Sequence, residues 1–476
     1  MTKPRSNRKR GPSSSLTRRQ PRLWGKDELV IARMSQEGRG IANRNGKIVF
    51  VRGAITGEQV KVQCTEVRRH YDTADTIELA DDSVGSTLRV NPECSVYEEC
   101  GGCSLQHLSL EAQQHHKQVN LLQMLQKISS SLILDTPITS RPSGFRHRLR
   151  LVVARKADRS YFLGLRQFRS HDAVNVKHCV VANTAVNTLL QKLPEILFAI
   201  PDLQGLREIE IDADSTDHLG LCFYFAAHPG EKLLAALREG VLCGSVVAMR
   251  VRLYVKKRAC SDDPHEQDDG GGLRHWEELF VEGHLTLRLN PMIEYSNTAI
   301  GEFYLAYLPG DFTQTHWEVN LALVSRALNW LKPRPHEIAL DLFSGIGNFS
   351  LPFARCTKLV HSIEGDSNMA LRVDQNAQLN GIENISATLH NLIHSQVKLP
   401  KADIAIIDPP RAGAKSVCET LARSKIKRLV YISCHPATLA RDAAVLCGAG
   451  FRLTRAAAVD MFPHSGHSEA IALFER

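Results

Sequence analysis

Three residues in the carboxyl-terminal third of the chain have the types and spacing for covalent catalysis. Cys434 ends an apolar run in Tyr431-Ile-Ser-Cys-His-Pro436, Asp408 ends another in Ile406-Ile-Asp-Pro-Pro-Arg-Ala-Gly413, and Glu469 closes Pro463-His-Ser-Gly-His-Ser-Glu469 just before the last apolar run. A thiolate is a strong nucleophile, and a carboxylate within hydrogen-bond reach can remove a proton in the same pocket. A free thiol with a pKa of about 8.5 is only a few per cent ionised at neutral pH, so the site is expected to lower that pKa or to select the thiolate form. Two prolines fix the loop after Asp408. They hold its carboxylate rigidly toward a cleft, where it can accept an N–H from a bound heterocycle.

A second motif suits a cofactor. Asp341-Leu-Phe-Ser-Gly-Ile-Gly-Asn-Phe349 reads as a strand running into a glycine turn and then a helix, with Glu364 closing the next strand 23 residues beyond Asp341. Glycines let a ligand approach the backbone, and the acid at the second strand end is placed to take ribose hydroxyls. A nicotinamide or another nucleotide is an alternative ligand, although the fuller G-x-G-x-x-G run of dinucleotide loops is missing.

The third constellation is Cys94-x5-Cys100-x2-Cys103, with Cys179 following in His178-Cys-Val. Four thiolates can hold tetrahedral zinc or an iron-sulfur cluster, and spacing alone does not choose between them. Gly101 and Gly102 permit a tight wrap around a bulky centre. Cys64, Cys222, Cys243, Cys260, Cys356, Cys418 and Cys447 stand alone and read as small core hydrophobes.

These residues need strands to position them. After residue 337 apolar strands alternate with helical segments: Ile338 to Phe343, Leu359 to Glu364, Ile385 to Leu389, Ile404 to Ile407 and Leu429 to Ser433. The pattern predicts a doubly wound parallel sheet whose ligands sit beyond the strands' carboxyl ends, where the informative residues cluster. Residues 145 to 300 read as antiparallel and strand-rich, with an acidic, glycine-ending stretch at 258–272 expected to form an exposed loop. From Gln106 to Ser129, Leu108, Ala112, Val119, Leu122, Leu125 and Ile128 recur at helical spacing and are expected to face a core. Residues 24 to 80 alternate in short runs punctuated by glycines, which predicts a small β-barrel.

Composition sets the class. At 476 residues, several domains are expected, and a 43% hydrophobic, 23% charged chain with no long apolar run excludes a membrane protein. The net charge of +8 is matched by eight Lys/Arg and no acid in residues 1–22, a segment read as a basic, disordered tail that adds phosphate contacts. Twelve cysteines without a secretory leader point to a reducing compartment, the cytoplasm.

Taken together, the motifs resemble the RNA uracil-5-methyltransferase family. The D-x-F-x-G-x-G-x-F loop resembles the S-adenosylmethionine loop of class I RNA methyltransferases. Ser433-Cys-His-Pro436 is similar to the family's S-C-N-P, with His435 in place of Asn, and His467-Ser-Glu469 stands at its H-x-E base motif. Gly310-Asp-Phe-Thr-Gln314 resembles the G-x-F-x-Q segment. Arg411 stands where amino-directed methyltransferases carry an aromatic residue after D-P-P, which disfavours methylation of a base amine. The resemblance implies Cys434 as nucleophile at carbon 6 of uracil and Glu469 as the base that removes H5. It also implies S-adenosylmethionine lined by Phe343, Asn348, Glu364 and Asn391, with Gln314 and Asp408 counted in that set at its border with the uracil.

Glu37-Gly-Arg-Gly-Ile-Ala42 and Phe50-Val-Arg-Gly-Ala-Ile-Thr-Gly-Glu58 resemble a TRAM domain, an OB-like barrel. A C-x5-C-x2-C with a distant cysteine marks family members in which a [4Fe-4S] cluster is held, here by Cys94, Cys100, Cys103 and Cys179. With TRAM, it points to members acting on 23S ribosomal RNA; a transfer RNA enzyme or a non-catalytic RNA-binding assembly factor are the rival readings. The expected architecture is a multidomain α/β plus β chain. It comprises the tail (1–22), a TRAM-like β-barrel (23–82), a central β-rich domain bearing the cysteines (83–300), whose helix 106–130 can pack on the catalytic domain, and a Rossmann-like methyltransferase domain (301–476). RNA is the expected partner, with no obligate protein partner evident.

Overall fold

Alternation of apolar and polar residues builds the amino-terminal sheet: in Gln59–Val67, Val60, Val62 and Cys64 are buried while Lys61 between them is exposed. The computed structural model describes residues 23–80, 87–156, 158, 160–200, 203–242, 244–255, 275–292, 300–393 and 398–476. The basic stretch 1–22 and the acidic stretch 258–272 lie outside the described residues. The described chain forms two compact units that divide between Thr87 and Leu88. In the first, six strands pair in the order Lys26–Val30, Gln59–Val67, Tyr71–Leu79, Lys47–Arg52, Gly40–Arg44 and Arg33–Met34. They curl around one core that includes Leu29, Ile31, Val49, Val51 and Val62.

The second unit contains two large sheets. The central one runs in the order His275–Glu282, Val246–Val255, Leu219–Phe225, Leu206–Ala213, Arg148–Arg155, Tyr161–Arg166, Ala173–Asn175. The antiparallel expectation fails at one pair: Leu219–Phe225 and Val246–Val255 are parallel. The cause is the helix Glu231–Val241 between them, since parallel neighbours need a crossover connection. This sheet carries a charged array. Arg250, 1% exposed, donates to Asp311 Oδ1 at 2.6 Å, and Arg372 of the helix Ser367–Leu379 reaches Asp311 Oδ2 at 3.3 Å. Asp311 therefore anchors the Gly310–Gln314 loop between the central sheet and the catalytic layer.

The catalytic sheet runs Ile385–Leu389, Leu359–Glu364, Ile338–Leu342, Ile404–Ile407, Arg428–Ser433, Glu469–Glu475, Arg452–Val459. Its first five strands are parallel and its last two antiparallel. Apolar residues cover both faces, with Ile406 and Val430 in the core on one side and Leu340 and Tyr431 in that on the other. Strand order reverses at Ile338–Leu342, which opens the crevice where ligands bind in such sheets.

The helix Leu110–Leu125, with Ser109 capping Ala112 N, packs on the helix Pro436–Gly448 and the strand Arg452–Val459. Its buried stripe is Gln113, Lys117, Leu121 and Leu125, so of the positions expected from apolar spacing Leu108 and Leu125 are buried while Ala112, Val119 and Leu122 are only half-buried. A polar residue takes a buried position when it finds partners there, and Lys117 finds Asp460 at 2.7 Å. No helix among the described residues is long and apolar enough to cross a membrane.

Candidate active site

Strand register brings the nucleophile and base candidates together. Arg428–Ser433 pairs antiparallel with Glu469–Glu475, and the last pair of the ladder is Ser433 with Ala470. One step further along each chain stand Cys434 and Glu469. Glu469 is 6% exposed, and its Oε2 has no hydrogen-bond partner among the described residues. Burial pushes its carboxyl up to about 8; Asp408's charge adds to the rise, while Lys117 and Arg411 oppose it.

Cys434 departs from expectation. Burial first, then the carboxylates of Glu469 and Asp408, push its thiol up to about 11, and Arg411 opposes this only in part. The resting site therefore does not lower the thiol pKa; at pH 7 about one thiol in 10⁴ would be ionised. The reason is tertiary: burial strips water from the thiolate, and the two acids that share the pocket add to the rise. Selection of the thiolate by the bound substrate is the alternative that remains.

Asp408 follows the strand Ile404–Ile407 and accepts a hydrogen bond from Gln314 Nε2 at 3.3 Å. Desolvation raises its carboxyl to about 7 in spite of that bond. Arg411 places Nη2 3.1 Å from His467 Nδ1. Because guanidinium only donates, this nitrogen of His467 holds a lone pair. The loop after Asp408 is pinned from the helix Pro436–Gly448: Ala414 N and Tyr431 Oη donate to Asp442 Oδ2 at 2.7 and 2.8 Å. Gly413, at φ +75°, fits because a Cβ would come within 2.7 Å of that carboxylate.

The glycine turn leaves Ile338–Leu342 through Phe343, whose φ of +63° is rare for a side-chain-bearing residue and is of a kind that clusters at ligand sites. Gly347 (φ +95°) could not be replaced freely, since a Cβ would lie 2.5 Å from Leu351 Cδ1. Glu364 closes the turn: Oε2 accepts from Gly345 N at 2.9 Å, and Oε1 accepts from Gly365 N and Asp366 N. Asn348 is engaged sideways in a reciprocal amide pair with Asn320 at 2.8 and 2.9 Å. Asn391 is exposed just past the strand Ile385–Leu389, its Oδ1 taken by Ile393 N at 3.0 Å. Phe343, Glu364, Asp408 and Gln314 thus border the switch-point crevice, Asn391 its outer edge, and Asn348 the helix side.

Cys94, Cys100, Cys103 and Cys179 line one cavity of about 480 Å³, with Arg146 and Gln106 in its wall. Burial raises the thiols of Cys100, Cys103 and Cys179, and Arg146 opposes the rise at each. Gly102 N lies 3.4 Å from Cys100 Sγ. Among the described residues, no three His, Cys, Asp or Glu side chains converge as a single metal ion would require.

Three contributors escaped the sequence reading. Lys117 and Asp460 form a buried pair near Glu469. Asp341 is buried with Oδ2 bound by Ser350 Oγ at 2.6 Å, Oδ1 unpartnered and its carboxyl pushed up to about 7 by burial. Asp341 at least stood first in its motif; no local signal marks the other two.

Residues 296–476 match the tRNA (Uracil-5-)-methyltransferase family model and residues 28–77 the TRAM domain model. A 23S rRNA (uracil(1939)-C(5))-methyltransferase of Shewanella frigidimarina is 33% identical over 463 residues, covering 95% of this chain and 96% of its own. The Vibrio cholerae protein of the same description is 36% identical over 456 residues, covering 94% of this chain and 95% of its own. The fold is also that of the Pyrococcus abyssi tRNA (uracil-54, C5)-methyltransferase, solved with S-adenosyl-L-homocysteine. It superposes with a TM-score of 0.69 at 21% identity, over 94% of this chain and 100% of the other. Cys434 and Glu469 just beyond the end of one strand ladder, the Asp408 loop and full-length similarity to curated relatives lead to one assignment: the chain belongs to the RNA uracil-5-methyltransferase family.

Proposed function

We propose that this protein transfers a methyl group from S-adenosylmethionine to carbon 5 of a uridine in 23S ribosomal RNA, at the position 1939 for which its relatives are named. The observation that carries the reading is the convergence of Cys434 and Asp408, just past the carboxyl ends of adjacent parallel strands, with Glu469 at the start of the antiparallel neighbour and Gln314 bonded to Asp408. Cys434 Sγ adds to carbon 6 of uracil, and the electron pair of the C5–C6 double bond moves onto the ring as an enolate. The thiol proton passes to solvent, which leaves the Glu469 carboxylate free for the later step. S-adenosylmethionine, when bound, supplies an electrophilic methyl to carbon 5. Glu469 then accepts H5, the double bond reforms and the C6–S bond breaks, freeing Cys434.

Asp408 suits the N3–H of the uracil, and Gln314 holds that carboxylate in orientation. Phe343, Asn348, Glu364 and Asn391 would line the cofactor, with Gln314 and Asp408 at its border. One oxygen of Glu364 carries a single hydrogen bond and so keeps a lone pair for a ribose hydroxyl. A uridine within folded RNA must be unstacked to reach this pocket, so base flipping is expected.

The cysteines fit a [4Fe-4S] cluster. What supports this is that all four thiols line one roomy cavity, and cysteine is the usual ligand of iron-sulfur centres. Cys94, Cys100, Cys103 and Cys179 would hold it, and full cysteine ligation assigns it a folding or RNA-positioning role. Such a centre, together with free thiols, belongs in a reducing cytoplasm.

The test is methyl transfer from labelled S-adenosylmethionine to unmodified 23S rRNA and to transfer RNA, followed by nucleoside analysis. Labelled 5-methyluridine in the rRNA alone is the expected result. Label in transfer RNA would move the substrate, and none in either would favour an assembly factor.

A further inference from the structure

The loop that leads into Glu469 is gripped by a stretch of chain from outside the catalytic sheet, the segment that follows Cys103. Ser104 N and Leu105 N both donate to the His464 carbonyl at 2.8 Å, and Gly466 N donates to Ser104 Oγ at 3.0 Å. Gln113 accepts from His464 N at 2.9 Å while its amide nitrogen donates to Leu105 O and Leu108 O at 3.0 and 2.7 Å. One turn further along the helix Leu110–Leu125, Lys117 donates to Asp460 Oδ1 at 2.7 Å and to Phe462 O at 2.9 Å. Every bond of this set ties the segment to itself or to residues 460–466. At its centre His464 sits at φ +64°, a conformation that costs a side-chain-bearing residue roughly 1 kcal/mol and so needs support.

Stability alone does not account for such a brace. Lys117 is 2% exposed, and well-packed apolar residues in place of a buried ion pair are commonly neutral or stabilising. What the brace does fix is the approach of the chain to Glu469. Lys117 and Asp460 lie near enough to influence that carboxyl, as do Asp408 and Arg411.

We infer that Lys117 and Gln113 are positioning residues for proton abstraction, holding the loop 460–468 so that Glu469 faces carbon 5 of the uracil, the neighbour of the carbon bound by Cys434. The inference rests on the reading of Glu469 as the base. Loss of the brace slows resolution of the covalent adduct and leaves its formation intact.

The experiment compares Lys117→Met, Lys117→Met/Asp460→Asn and Gln113→Ala with Glu469→Gln on unmodified 23S rRNA. The double substitution removes both charges, so no unpaired one stays buried, and Gln113→Ala leaves the ion pair in place. Three quantities are read: protein–RNA adduct surviving denaturation during turnover, kcat against KM for RNA and S-adenosylmethionine, and thermal melting. General-base catalysis contributes about 10²–10⁴-fold, so misplacing the base should lower kcat about tenfold or more. The adduct should rise several-fold over wild type, with both KM values little changed. A fall in kcat without extra adduct in the variants that melt cooperatively, or unchanged kcat in them, overturns the inference while an adduct in Glu469→Gln preserves the base assignment. Absence of adduct in Glu469→Gln itself overturns both.

Discussion

Gln314 donates to Asp408 across 3.3 Å although 94 residues separate them in the chain. The bond joins a loop anchored on the central sheet through Asp311 to the D-P-P turn of the catalytic sheet. It leaves Asp408 half-buried, with its carboxyl near 7. Asp408→Asn replaces one acceptor oxygen by a donor that opposes the N3–H of uracil. Hydrogen bonds to charged groups are worth about 1.5–3 kcal/mol, so kcat/KM for RNA should fall by about 10- to 150-fold. Single-turnover kinetics with 23S rRNA checks this; a loss under threefold would show that Asp408 does not hold the base.

Removing the base and removing the nucleophile should part company. Cys434→Ala is expected to abolish turnover and adduct alike, while RNA binding in a filter assay persists. Glu469→Gln should form the adduct and fail to resolve it, giving a species of retarded mobility on a denaturing gel. Adduct with Cys434→Ala, or none with Glu469→Gln, would exchange or cancel the roles.

The rate of adduct resolution should depend on pH through Glu469. Its carboxyl must be ionised to accept H5 and titrates at about 8, so resolution should rise about tenfold per pH unit below 8 and level off above. Rapid-quench measurement from pH 6 to 9 tests this; a flat profile would mean that another group takes the proton.

The same raised pKa has a thermodynamic sign. Folded Glu469 binds its proton more tightly than unfolded chain does, from the ordinary value of 4.5 up to about 8. Its favourable contribution is therefore complete below pH 4.5 and is lost as pH rises toward 8. Glu469→Gln, neutral at every pH, should melt higher than wild type at pH 9 and gain less at pH 6. A difference in melting temperature that does not change with pH would remove Glu469 as the titrating group.

The cysteine cavity gives a metal-removal test. Anaerobically purified protein should contain iron and sulfide and absorb near the visible region of an iron-sulfur centre, and Cys179→Ser should lower iron content and melting temperature together. Zinc in place of iron would mean that the four cysteines hold a structural ion and not a cluster.

What was legible in the sequence follows short-range rules. Cys434, Asp408 and Glu364 announced themselves because each ends an apolar strand, and strand ends in a doubly wound sheet converge on one crevice whatever the loops between them do. Apolar spacing placed Leu125 of the helix Leu110–Leu125 in the core but missed Gln113 and Lys117, because it assigns lysine and glutamine to solvent. Lys117 is buried only because Asp460, 343 residues later, meets it. The one parallel pair of the central sheet was missed because strand direction depends on how the intervening helix crosses, which alternation does not encode.

By itself, then, the sequence determined which residue types stand at the ends of which strands, and so the class of chemistry the crevice offers. Tertiary structure alone decided the rest. It buried one thiol beside two acids, so that Cys434 rests protonated, turned Asn348 toward Asn320, and clasped the Glu469 loop with a helix from the cysteine-bearing segment. Charge, desolvation and hydrogen bonding depend on neighbours in space, and folding brings those neighbours from parts of the chain that local patterns do not connect.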